Sequence, residues 1–304
     1  MVNILVTGGA GYIGSVLVPQ LLLENHKVTV IDNFMFNQKS LLDVAYNNNL
    51  IFNKEDISSK DVIKNYVKEN DVIIPLAALV GAPLCKLNPS ITKQVNTDQI
   101  RFISDETSKD QIILFPVTNS GYGIGKKDIY CDENSELNPI TLYGKTKVEA
   151  EKILLNKGNA ITFRLATVFG SSPRMRMDLL VNDFVFRAVK DRFLVLYEPH
   201  FKRNYIHIRD IANVFIHGLH NYKQMNGQPY NVGLSDANLS KIELCERIKL
   251  QIPDFYFFGS DLSSDPDKRD YIVSNKKIEA TGWQPRYSID DGIRELKNLY
   301  NWFK

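Results

Sequence analysis

A glycine-rich stretch between Ile4 and Gly14 constrains the fold of this chain more than any other feature of its sequence. The apolar run over residues 4–6 is typical of a buried parallel strand. Glycines follow it with the spacing G-x-G-x-x-G, and apolar residues recur at helical spacing after the last of them. These glycines are Gly8, Gly9, Gly11 and Gly14. The stretch therefore predicts a strand, a tight turn and a helix in immediate succession.

This order of elements is the fingerprint of a dinucleotide-binding fold, in which the glycines let the backbone turn, approach a pyrophosphate and pack closely. A second predicted strand, over residues 27–32, ends at Asp32, which lies 18 residues beyond Gly14. A carboxylate at that place binds ribose hydroxyls and repels a 2′-phosphate, so NAD is predicted and NADP is disfavoured. The alternative is a tight turn in some other α/β protein, with Asp32 capping a loop.

Strand and helix patterns alternate through the first half of the chain, which predicts a doubly wound parallel sheet of the α/β class. Ligands of such sheets bind at the carboxyl ends of the strands, so the residues that follow the strands are candidate site residues. We predict strands near residues 3–7, 27–32, 49–53, 71–75, 112–117 and 160–165, and helices near 12–24, 60–68, 90–107 and 142–156.

After about residue 170 the alternation weakens and prolines punctuate the loops. A strand near 204–208 and a helix near 209–219 are still predicted. We expect a dinucleotide-binding Rossmann domain and a smaller mixed α/β lobe that packs over the ligand edge of the sheet. The domain would comprise residues 1–170 plus about 205–232, and the lobe about 171–204 and 233–304.

The composition limits the class of partner. The 304 residues carry a formal net charge of +2, which is too small to indicate nucleic acid or an acidic membrane surface. Three widely separated cysteines match neither a disulfide framework nor a zinc motif, so we expect no metal and a reduced, cytoplasmic location. The first strand starts almost at Met1 and the apolar stretch 72–80 is too short to span a bilayer, so we expect neither a signal peptide nor a membrane span.

A second constellation of residues carries chemistry. The strand near 112–117 leads to Thr118, and 25 residues later Tyr143 and Lys147 stand one helical turn apart. A phenol is a poor base at neutral pH, but a nearby ammonium group stabilises the phenolate and lowers its pKa. Such a tyrosine can remove a proton from a sugar hydroxyl that Thr118 aligns, while hydride leaves the same carbon for NAD. The alternative is a solvated helix surface with this spacing by chance.

Together these motifs resemble those of extended short-chain dehydrogenase/reductases of the NAD-dependent nucleotide-sugar epimerase/dehydratase family. The resemblance runs from residue 4 to about 210, and the segment at Arg269 resembles a late family element. It implies a Rossmann-type fold, bound NAD and a nucleotide-diphosphate sugar as substrate. The segments that carry it are Thr7–Gly14, Asp32-Asn33, Asp56-Ile57, Leu76–Ala78, Asn96, Thr118, Tyr122-Gly123, Tyr143, Lys147 and Arg203–Asp210.

The resemblance also implies roles for single residues, among which Thr118, Tyr143 and Lys147 would be catalytic. The residues that would contact NAD are Gly8, Gly11, Tyr12, Ile13, Gly14, Asp32, Asn33, Asp56, Ile57, Leu76, Ala77, Ala78, Asn96, Tyr143 and Lys147. The residues that would contact the substrate are Thr118, Asn119, Thr167, Asn182, Arg203 and Arg269. The two arginines would bind the diphosphate, and the alternative for each is a surface salt bridge.

Two departures from the family pattern bear on the reaction. Members that eliminate water carry acidic residues after the catalytic Thr or Ser, and decarboxylating members carry Glu at the position of Ser120. Here Asn119 and Ser120 follow Thr118, and neither can donate a proton as a carboxylic acid does. Dehydration and decarboxylation are therefore disfavoured. Thr167 replaces a common Asn that contacts the sugar phosphate, so substrate placement is expected to differ.

What remains is oxidation of a sugar secondary alcohol, with carbon 4 as the expected position. Release of the ketone makes a dehydrogenase, and return of hydride to the other face makes a 4-epimerase. Segments 121–131, 172–176 and 264–271 resemble a bacterial branch that oxidises GDP-activated heptoses in capsule synthesis. This resemblance favours a dehydrogenase acting on a GDP-linked heptose or hexose for surface polysaccharide.

Two further expectations concern assembly and the possible loss of catalysis. The family implies a homodimer paired through the helices near 90–107 and 142–156, and Val148, Ile153 and Leu154 are apolar positions on the second of these. A catalytically silent NAD-binding regulator is the alternative function of another class. The intact set of Thr118, Tyr143 and Lys147 argues against it.

Overall fold

The computed structural model describes residues 1–126, 128–260 and 269–302, and every statement about the fold refers to these. The alternation of strands and helices continues along the described chain. The strands are β1 (Asn3–Thr7), β2 (Lys27–Asp32), β3 (Leu50–Lys54), β4 (Val72–Pro75), β5 (Ile112–Thr118), β6 (Tyr130–Cys131), β7 (Ala160–Leu165), β8 (Thr167–Phe169), β9 (Phe193–Leu196), β10 (Lys202–His207), β11 (Pro229–Val232), β12 (Asn238–Ser240), β13 (Tyr256–Gly259) and β14 (Ile272–Val273).

Helices connect these strands and cover the sheet. The helices are α1 (Gly14–Leu23), α2 (Lys60–Glu69), α3 (Ala82–Leu87), α4 (Pro89–Lys93), α5 (Gln99–Glu106), α6 (Leu142–Lys157), α7 (Leu180–Lys190), α8 (Ile208–His220), α9 (Tyr222–Met225), α10 (Lys241–Gln251), α11 (Lys276–Glu279) and α12 (Ile289–Asn301). A π-helix, Gln94–Asp98, joins α4 to α5, and 3₁₀ turns occupy Leu42–Val44 and Asn119–Tyr122. Within the described residues no helix combines the length and apolar character needed to cross a bilayer.

The central sheet has seven strands in the order β11-β7-β5-β4-β1-β2-β3, and every neighbouring pair is parallel. Strands β4 and β7 are buried along their whole length because helices cover both faces. Strand β4 is entirely apolar, whereas β7 carries the buried polar residues Thr162 and Arg164. The direction of winding reverses between β1 and β4. In a doubly wound sheet the crevice at that reversal is where ligands bind.

Three small sheets lie outside the central one. Strand β10 pairs with β8 in parallel and with β12 in antiparallel orientation. Strand β13 pairs with β9, and β14 pairs with β6. The pair β6–β14 and a bridge between Ile124 and Asp270 join the segment after Thr118 to the chain just beyond residue 269. Two parts of the chain that are distant in sequence therefore meet beside the carboxyl end of β5.

The predicted α/β fold class is confirmed, and all six strands predicted for the first half lie within one residue of the observed ones. The predicted helix at 90–107 is present as α4, the π-helix and α5. The strand and helix predicted at 204–208 and 209–219 are β10 and α8. Helix α3 was missed, as was β11, which forms an edge of the central sheet. Both are short, and a four-residue strand leaves little periodicity to recognise.

Candidate active site

The glycine turn packs too tightly for side chains. Gly8 has φ +68°, and a Cβ there would lie 2.6 Å from the backbone nitrogen of Ala77. A Cβ at Gly14 would lie 2.4 Å from the carbonyl oxygen of Gly9. Helix α1 begins at Gly14, and the N–H groups of Ser15 and Val16 already donate to the carbonyl oxygens of Gly11 and Ile13. The N–H groups of residues 12–14 have no acceptor among the described residues and are available to an anion. This cradle fits the pyrophosphate of a dinucleotide.

Asp32 lies at the carboxyl end of β2 and is buried against the glycine turn. Its Oδ2 accepts a hydrogen bond from the backbone N–H of Ala10 at 3.1 Å. Its Oδ1 accepts from the N–H of Phe34 at 2.8 Å and from the Gln38 side chain at 3.1 Å. The carboxylate is therefore fixed beside the turn, which is where the ribose of a dinucleotide would meet it.

The residues expected around the adenine follow the next strand. Asp56 is exposed and accepts a hydrogen bond from the N–H of Ser58 at 2.8 Å, which holds the pKa of its carboxyl below the ordinary value. A hydrogen bond from Asn33 acts in the same direction, so Asn33 and Asp56 are neighbours. Ile57 is buried beside them. The carboxyl ends of β2 and β3 thus form a polar rim over an apolar floor.

The segment after β4 closes the other side of the crevice. The N–H of Leu76 donates to the carbonyl oxygen of Thr7 at 2.9 Å, and Ala77 and Ala78 are half-buried. Asn96 fixes the next residues by accepting from the N–H of Leu79 and donating to its carbonyl oxygen, both at 2.9 Å. Asn96 lies in the π-helix that packs against α6, so it ties this wall of the crevice to α6.

Thr118 ends β5 and begins a 3₁₀ turn that packs against the first turn of α6. Its Oγ1 lies 2.8 Å from the Oγ of Ser120 and accepts from the Ser120 N–H at 3.1 Å. A Cβ at Gly144 would lie 3.4 Å from the carbonyl oxygen of Ser120, so the turn and the residue after Tyr143 are in contact. Asn119 is 1% exposed, and neither its amide nitrogen nor its amide oxygen has a partner among the described residues.

Tyr143 lies in the first turn of α6, and its surroundings correct one expectation. Burial raises the pKa of its phenol to about 12, whereas the guanidinium groups of Arg176 and Arg269 act in the opposite direction. We expected Lys147 to lower this pKa below that of a free phenol. Here the cations acting on the phenol are two arginines from other parts of the chain, and burial outweighs them.

Lys147 is one turn further along α6 and is 4% exposed. Burial lowers the pKa of its ammonium to about 7, and the carboxylate of Glu151 acts against that shift. Its Nζ lies 3.9 Å from the centre of the Phe115 ring on β5, a cation–π contact that favours the charged form. The ammonium and the neutral amine forms of Lys147 are therefore both populated near neutral pH.

Asn182 differs from its expected role. It is fully buried, its Oδ1 accepts from the N–H of Gly170, and its Nδ2 donates to the carbonyl oxygen of Arg176 and to the Tyr12 hydroxyl. The hydroxyl of Tyr12 in turn donates to the carbonyl oxygen of Gly170 at 2.7 Å. Because the amide is engaged inside the protein, the geometry does not support a phosphate contact by Asn182.

The remaining predicted substrate residues lie on the side of the small sheets. Thr167 is half-buried at the start of β8 and is paired with Tyr205 on β10. Arg203 is buried on β10, where its guanidinium carbon lies 5.7 Å from the centre of the Tyr271 ring. Arg269 is half-buried and acts on the phenol of Tyr143. Residues 264–268 of the segment that resembles the GDP-heptose branch lie outside the described residues.

Sequence reasoning did not assign a role to two of the charged groups that act on Tyr143 and Lys147, namely Arg176 and Glu151. Glu151 could have been found, because it follows Lys147 by four residues on the same face of α6. Arg176 could not have been found in this way. Its Nη2 lies 4.0 Å from the place of a Cβ on Gly81, and nothing local in the sequence indicates that these segments meet.

This arrangement brings a hydroxyl, a phenol and cationic groups to the carboxyl edge of a parallel sheet beside a glycine turn. A phenolate stabilised by cations can accept a proton from an alcohol, and a dinucleotide at the turn can accept hydride. These are the elements of alcohol oxidation.

Comparisons with known proteins agree with this geometry. A family profile described as the NAD dependent epimerase/dehydratase family matches residues 4–233. A putative UDP-glucose 4-epimerase of Methanocaldococcus jannaschii is 27% identical over 314 residues, covering 99% of this chain and 98% of that protein. UDP-glucuronic acid decarboxylase 1 of Arabidopsis thaliana is 26% identical over 307 residues, covering 97% of this chain and 68% of that protein.

Solved structures share the fold. A UDP-glucuronic acid 4-epimerase from Bacillus cereus, in complex with UDP-glucuronic acid and NAD, superposes with a TM-score of 0.86 at 22% identity, covering 99% of this chain and 100% of that one. The UDP-glucose 4-epimerase of Thermus thermophilus, in complex with NAD, gives a TM-score of 0.83 at 21% identity, with coverage of 98% and 99%. The chain therefore belongs to the NAD-dependent epimerase/dehydratase family of extended short-chain dehydrogenase/reductases, and its cofactor is NAD.

Proposed function

We propose that this protein oxidises a secondary alcohol of a nucleotide-activated sugar with NAD, at carbon 4. The observation that carries the proposal is the contact between the turn after Thr118 and the first turn of α6. The carbonyl oxygen of Ser120 lies 3.4 Å from the place of a Cβ on Gly144, the residue after Tyr143. The carboxyl end of β5 is therefore adjacent to the start of the helix that carries Tyr143, which supports a joint role for Thr118 and Tyr143.

Each of the three residues has a distinct task in this proposal. Tyr143 takes the proton of the substrate hydroxyl, and NAD, when bound, supplies the acceptor of the hydride. Thr118 donates or accepts a hydrogen bond at the same hydroxyl and aligns it. Lys147, one helical turn after Tyr143 on α6, binds the nicotinamide ribose. The positive charge of oxidised nicotinamide would act with Arg176 and Arg269 against the burial that raises the pKa of Tyr143.

The remaining predicted contacts are part of the same proposal. The pyrophosphate would be contacted by the glycine turn together with Tyr12 and Ile13. The adenosine half of NAD would be contacted by the residues after β2, β3 and β4. On the substrate side we propose Arg203 and Arg269 for the diphosphate and Thr167 for the sugar phosphate region. The unpartnered, buried amide of Asn119 is suited to a polar group of the sugar, since an unpaired amide in a buried site is costly. Residues of about 171–204 and 233–304 would form the lobe that covers the sugar.

We propose release of the ketone from a GDP-linked heptose or hexose as the outcome. This choice rests on the resemblance of segments 121–131 and 172–176 to the branch that oxidises such sugars. The pairing of β6 with β14 joins the first of these segments to the chain beside Arg269, whose guanidinium acts on the phenol of Tyr143. Elimination of water is not part of the proposal, because Asn119 and Ser120 provide no carboxylic acid after Thr118.

A UDP-sugar 4-epimerase is the second candidate, and the names of the relatives favour it. Two of the curated relatives are named as UDP-glucose 4-epimerases, from Methanocaldococcus jannaschii and Lactobacillus helveticus. An epimerase would use the same Tyr143 and NAD, and it would return hydride to the opposite face of the ketone.

The deciding experiment incubates the protein with NAD and a panel of GDP-, UDP- and dTDP-sugars, and analyses products by chromatography and mass spectrometry. A dehydrogenase yields a product two mass units lighter and one NADH for each product. An epimerase yields an isomer of unchanged mass without net NADH. Loss of 18 mass units would contradict the argument from Asn119 and Ser120. Binding of NAD without any product across the panel would favour the silent regulator.

A further inference from the structure

A short segment between β8 and α7 crosses over the glycine turn. We call residues 170–176 the strap. The carbonyl oxygen of Gly170 accepts a hydrogen bond from the Tyr12 hydroxyl at 2.7 Å. The hydroxyl of Ser172 donates to the carbonyl oxygen of Tyr12 at 2.8 Å and lies 2.8 Å from the Ser15 hydroxyl. These contacts fix the strap against the turn and the first residues of α1.

The two ends of the strap are held by one buried side chain. Asn182 accepts from the N–H of Gly170 at 3.0 Å and donates to the carbonyl oxygen of Arg176 at 2.9 Å. On the outer side, the N–H of Ser171 donates to the carboxylate of Glu295 on α12 at 2.8 Å. The strap is thus anchored on both sides, and its central residues cannot move far from the cofactor crevice.

Arg174 is the central cation of the strap. Its guanidinium carbon lies 4.1 Å from the centre of the Phe36 ring, in the loop after β2, and its Nη1 donates to the carbonyl oxygen of Met175 at 2.9 Å. No carboxylate of the described chain forms an ion pair with it, although it is half-buried. By contrast, Arg176 is paired with both carboxylate oxygens of Asp178.

The charges around Arg174 leave it short of a counterion. Burial lowers the pKa of its guanidinium, and the neighbouring Arg176 acts in the same direction. The carboxylates of Asp178 and Asp32 oppose this lowering of the pKa. However, Asp178 is paired with Arg176. Asp32 already accepts hydrogen bonds from Ala10, Phe34 and Gln38. A half-buried cation in such a place is stabilised by an anion that arrives with a ligand.

We propose that Arg174 binds the pyrophosphate of NAD from above the glycine turn, so that the strap holds the cofactor in its crevice. The turn itself offers only backbone N–H groups, whereas the pyrophosphate carries two negative charges. A planar guanidinium donates two parallel hydrogen bonds to phosphate oxygens, and its stacking on Phe36 fixes the orientation of that fork. The inference depends on NAD as cofactor and does not depend on which sugar is oxidised.

A nucleotide sugar also carries a diphosphate, so the position of Arg174 must favour one of the two ligands. Its neighbours Phe36 and Asp32 belong to the loop and strand end where the adenosine half of NAD would lie. The strap is bonded to Tyr12 and Ser15 of the turn and the start of α1. Both observations favour the dinucleotide.

The test measures binding of NAD, ADP-ribose, GDP and UDP to the full-length protein by calorimetry. Arg174→Gln should weaken NAD and ADP-ribose equally, by roughly 10- to 100-fold, which is typical of losing hydrogen bonds to a charged group. Its affinity for GDP and UDP should be unchanged. Arg174→Lys keeps the charge without the fork or the stacking, so it should show a smaller loss.

Arg187→Gln is the matched control, because Arg187 is an exposed arginine on α7 paired with Asp183, away from the strap. It should bind NAD as the unaltered protein does. Thermal unfolding checks that each variant is folded, and if Arg174→Gln fails to fold, Arg174→Lys carries the comparison. Unchanged NAD affinity would overturn the proposal. A loss of affinity confined to GDP and UDP would also overturn it, because the contact would then lie at the diphosphate of the sugar substrate. So would a loss of NAD affinity that ADP-ribose does not share, because the contact would then lie at the nicotinamide.

Discussion

Arg164 and Glu151 face each other as a buried ion pair beneath Lys147. The Nε of Arg164 donates to both carboxylate oxygens of Glu151 at 3.1 Å, and its Nη2 donates to one of them at 3.0 Å. Glu151 lies four residues after Lys147 on α6, and Arg164 lies on β7. The pair therefore fixes a negative charge one turn from the buried ammonium. Around it lie Thr162, Tyr122, Glu133 and Lys277.

The first prediction concerns this pair. Glu151→Gln keeps the shape of the side chain and removes its charge, so the pKa of Lys147 should fall further below about 7. The charged form of Lys147 is lost as the pH rises through its pKa. The alkaline limb of kcat/KM should consequently move to lower pH, with near-normal values retained at pH 6. Leaving Arg164 without its partner should also lower the free energy of unfolding by about 3 kcal/mol.

Thr162→Val is the control for this experiment. It removes the 2.9 Å hydrogen bond that the neutral Thr162 hydroxyl donates to the Glu151 carboxylate, without changing any charge. Its pH profile should match that of the unaltered enzyme. If Glu151→Gln also leaves the pH profile in place, Glu151 has only a structural role. For stability, the unfolded chain keeps the Lys147 proton to higher pH than the folded chain does. This contribution to stability is present above the unfolded pKa of 10.5 and is lost progressively as the pH falls to the folded pKa of about 7.

The second prediction concerns Tyr143 as the base. Tyr143→Phe should reduce turnover by about 10²- to 10⁴-fold, the usual contribution of a general base, with little change in NAD affinity. Thr118→Val should reduce turnover without weakening the binding of NAD. Lys147→Met should reduce both turnover and the affinity for NAD. Near-normal turnover of Tyr143→Phe on the true substrate would exclude the mechanism.

The third prediction concerns cofactor choice. Titration of both cofactors should give much tighter binding of NAD than of NADP, because the carboxylate of Asp32 repels a 2′-phosphate. The double variant Asp32→Ala, Asn33→Arg should narrow the difference. Gln38→Ala removes one hydrogen-bond donor to Asp32 but keeps the carboxylate, so the preference for NAD should persist in it. Equal affinities in the unaltered protein would contradict the assignment of Asp32.

The fourth prediction is the homodimer, and here the structure changes the reason for it. Val148 and Leu154 are buried within the subunit, so their apolar character does not indicate an interface. The exposed positions of α6 include Lys145 and Glu149, while Ile91 on α4 is 50% exposed. Light scattering at micromolar concentration should give the mass of a dimer. If α4, α5 and α6 form its interface, Ile91→Asp should shift the equilibrium towards monomer. A monomeric unaltered protein would count against the expectation.

The sequence determined the elements whose signals are local. Apolar runs and helical spacing located β1, β2, β4, β5 and β7, because strand and helix periodicity depends on neighbouring residues. The glycine spacing determined the turn, because a tight turn against Ala77 leaves no room for a Cβ. The i, i+4 spacing placed Tyr143 and Lys147 on one face of α6, because the helical repeat also depends only on neighbouring residues.

Only the tertiary structure decided which distant groups act on these residues. The pKa of Tyr143 depends on how deeply the phenol is buried and on Arg176 and Arg269, which reach it from other segments. The strap brings Arg174 to Phe36 across more than a hundred residues of chain, and packing turns Asn182 inward. Burial and charge are properties of the packed molecule, since desolvation and Coulomb energies depend on distances in space rather than on spacing along the chain.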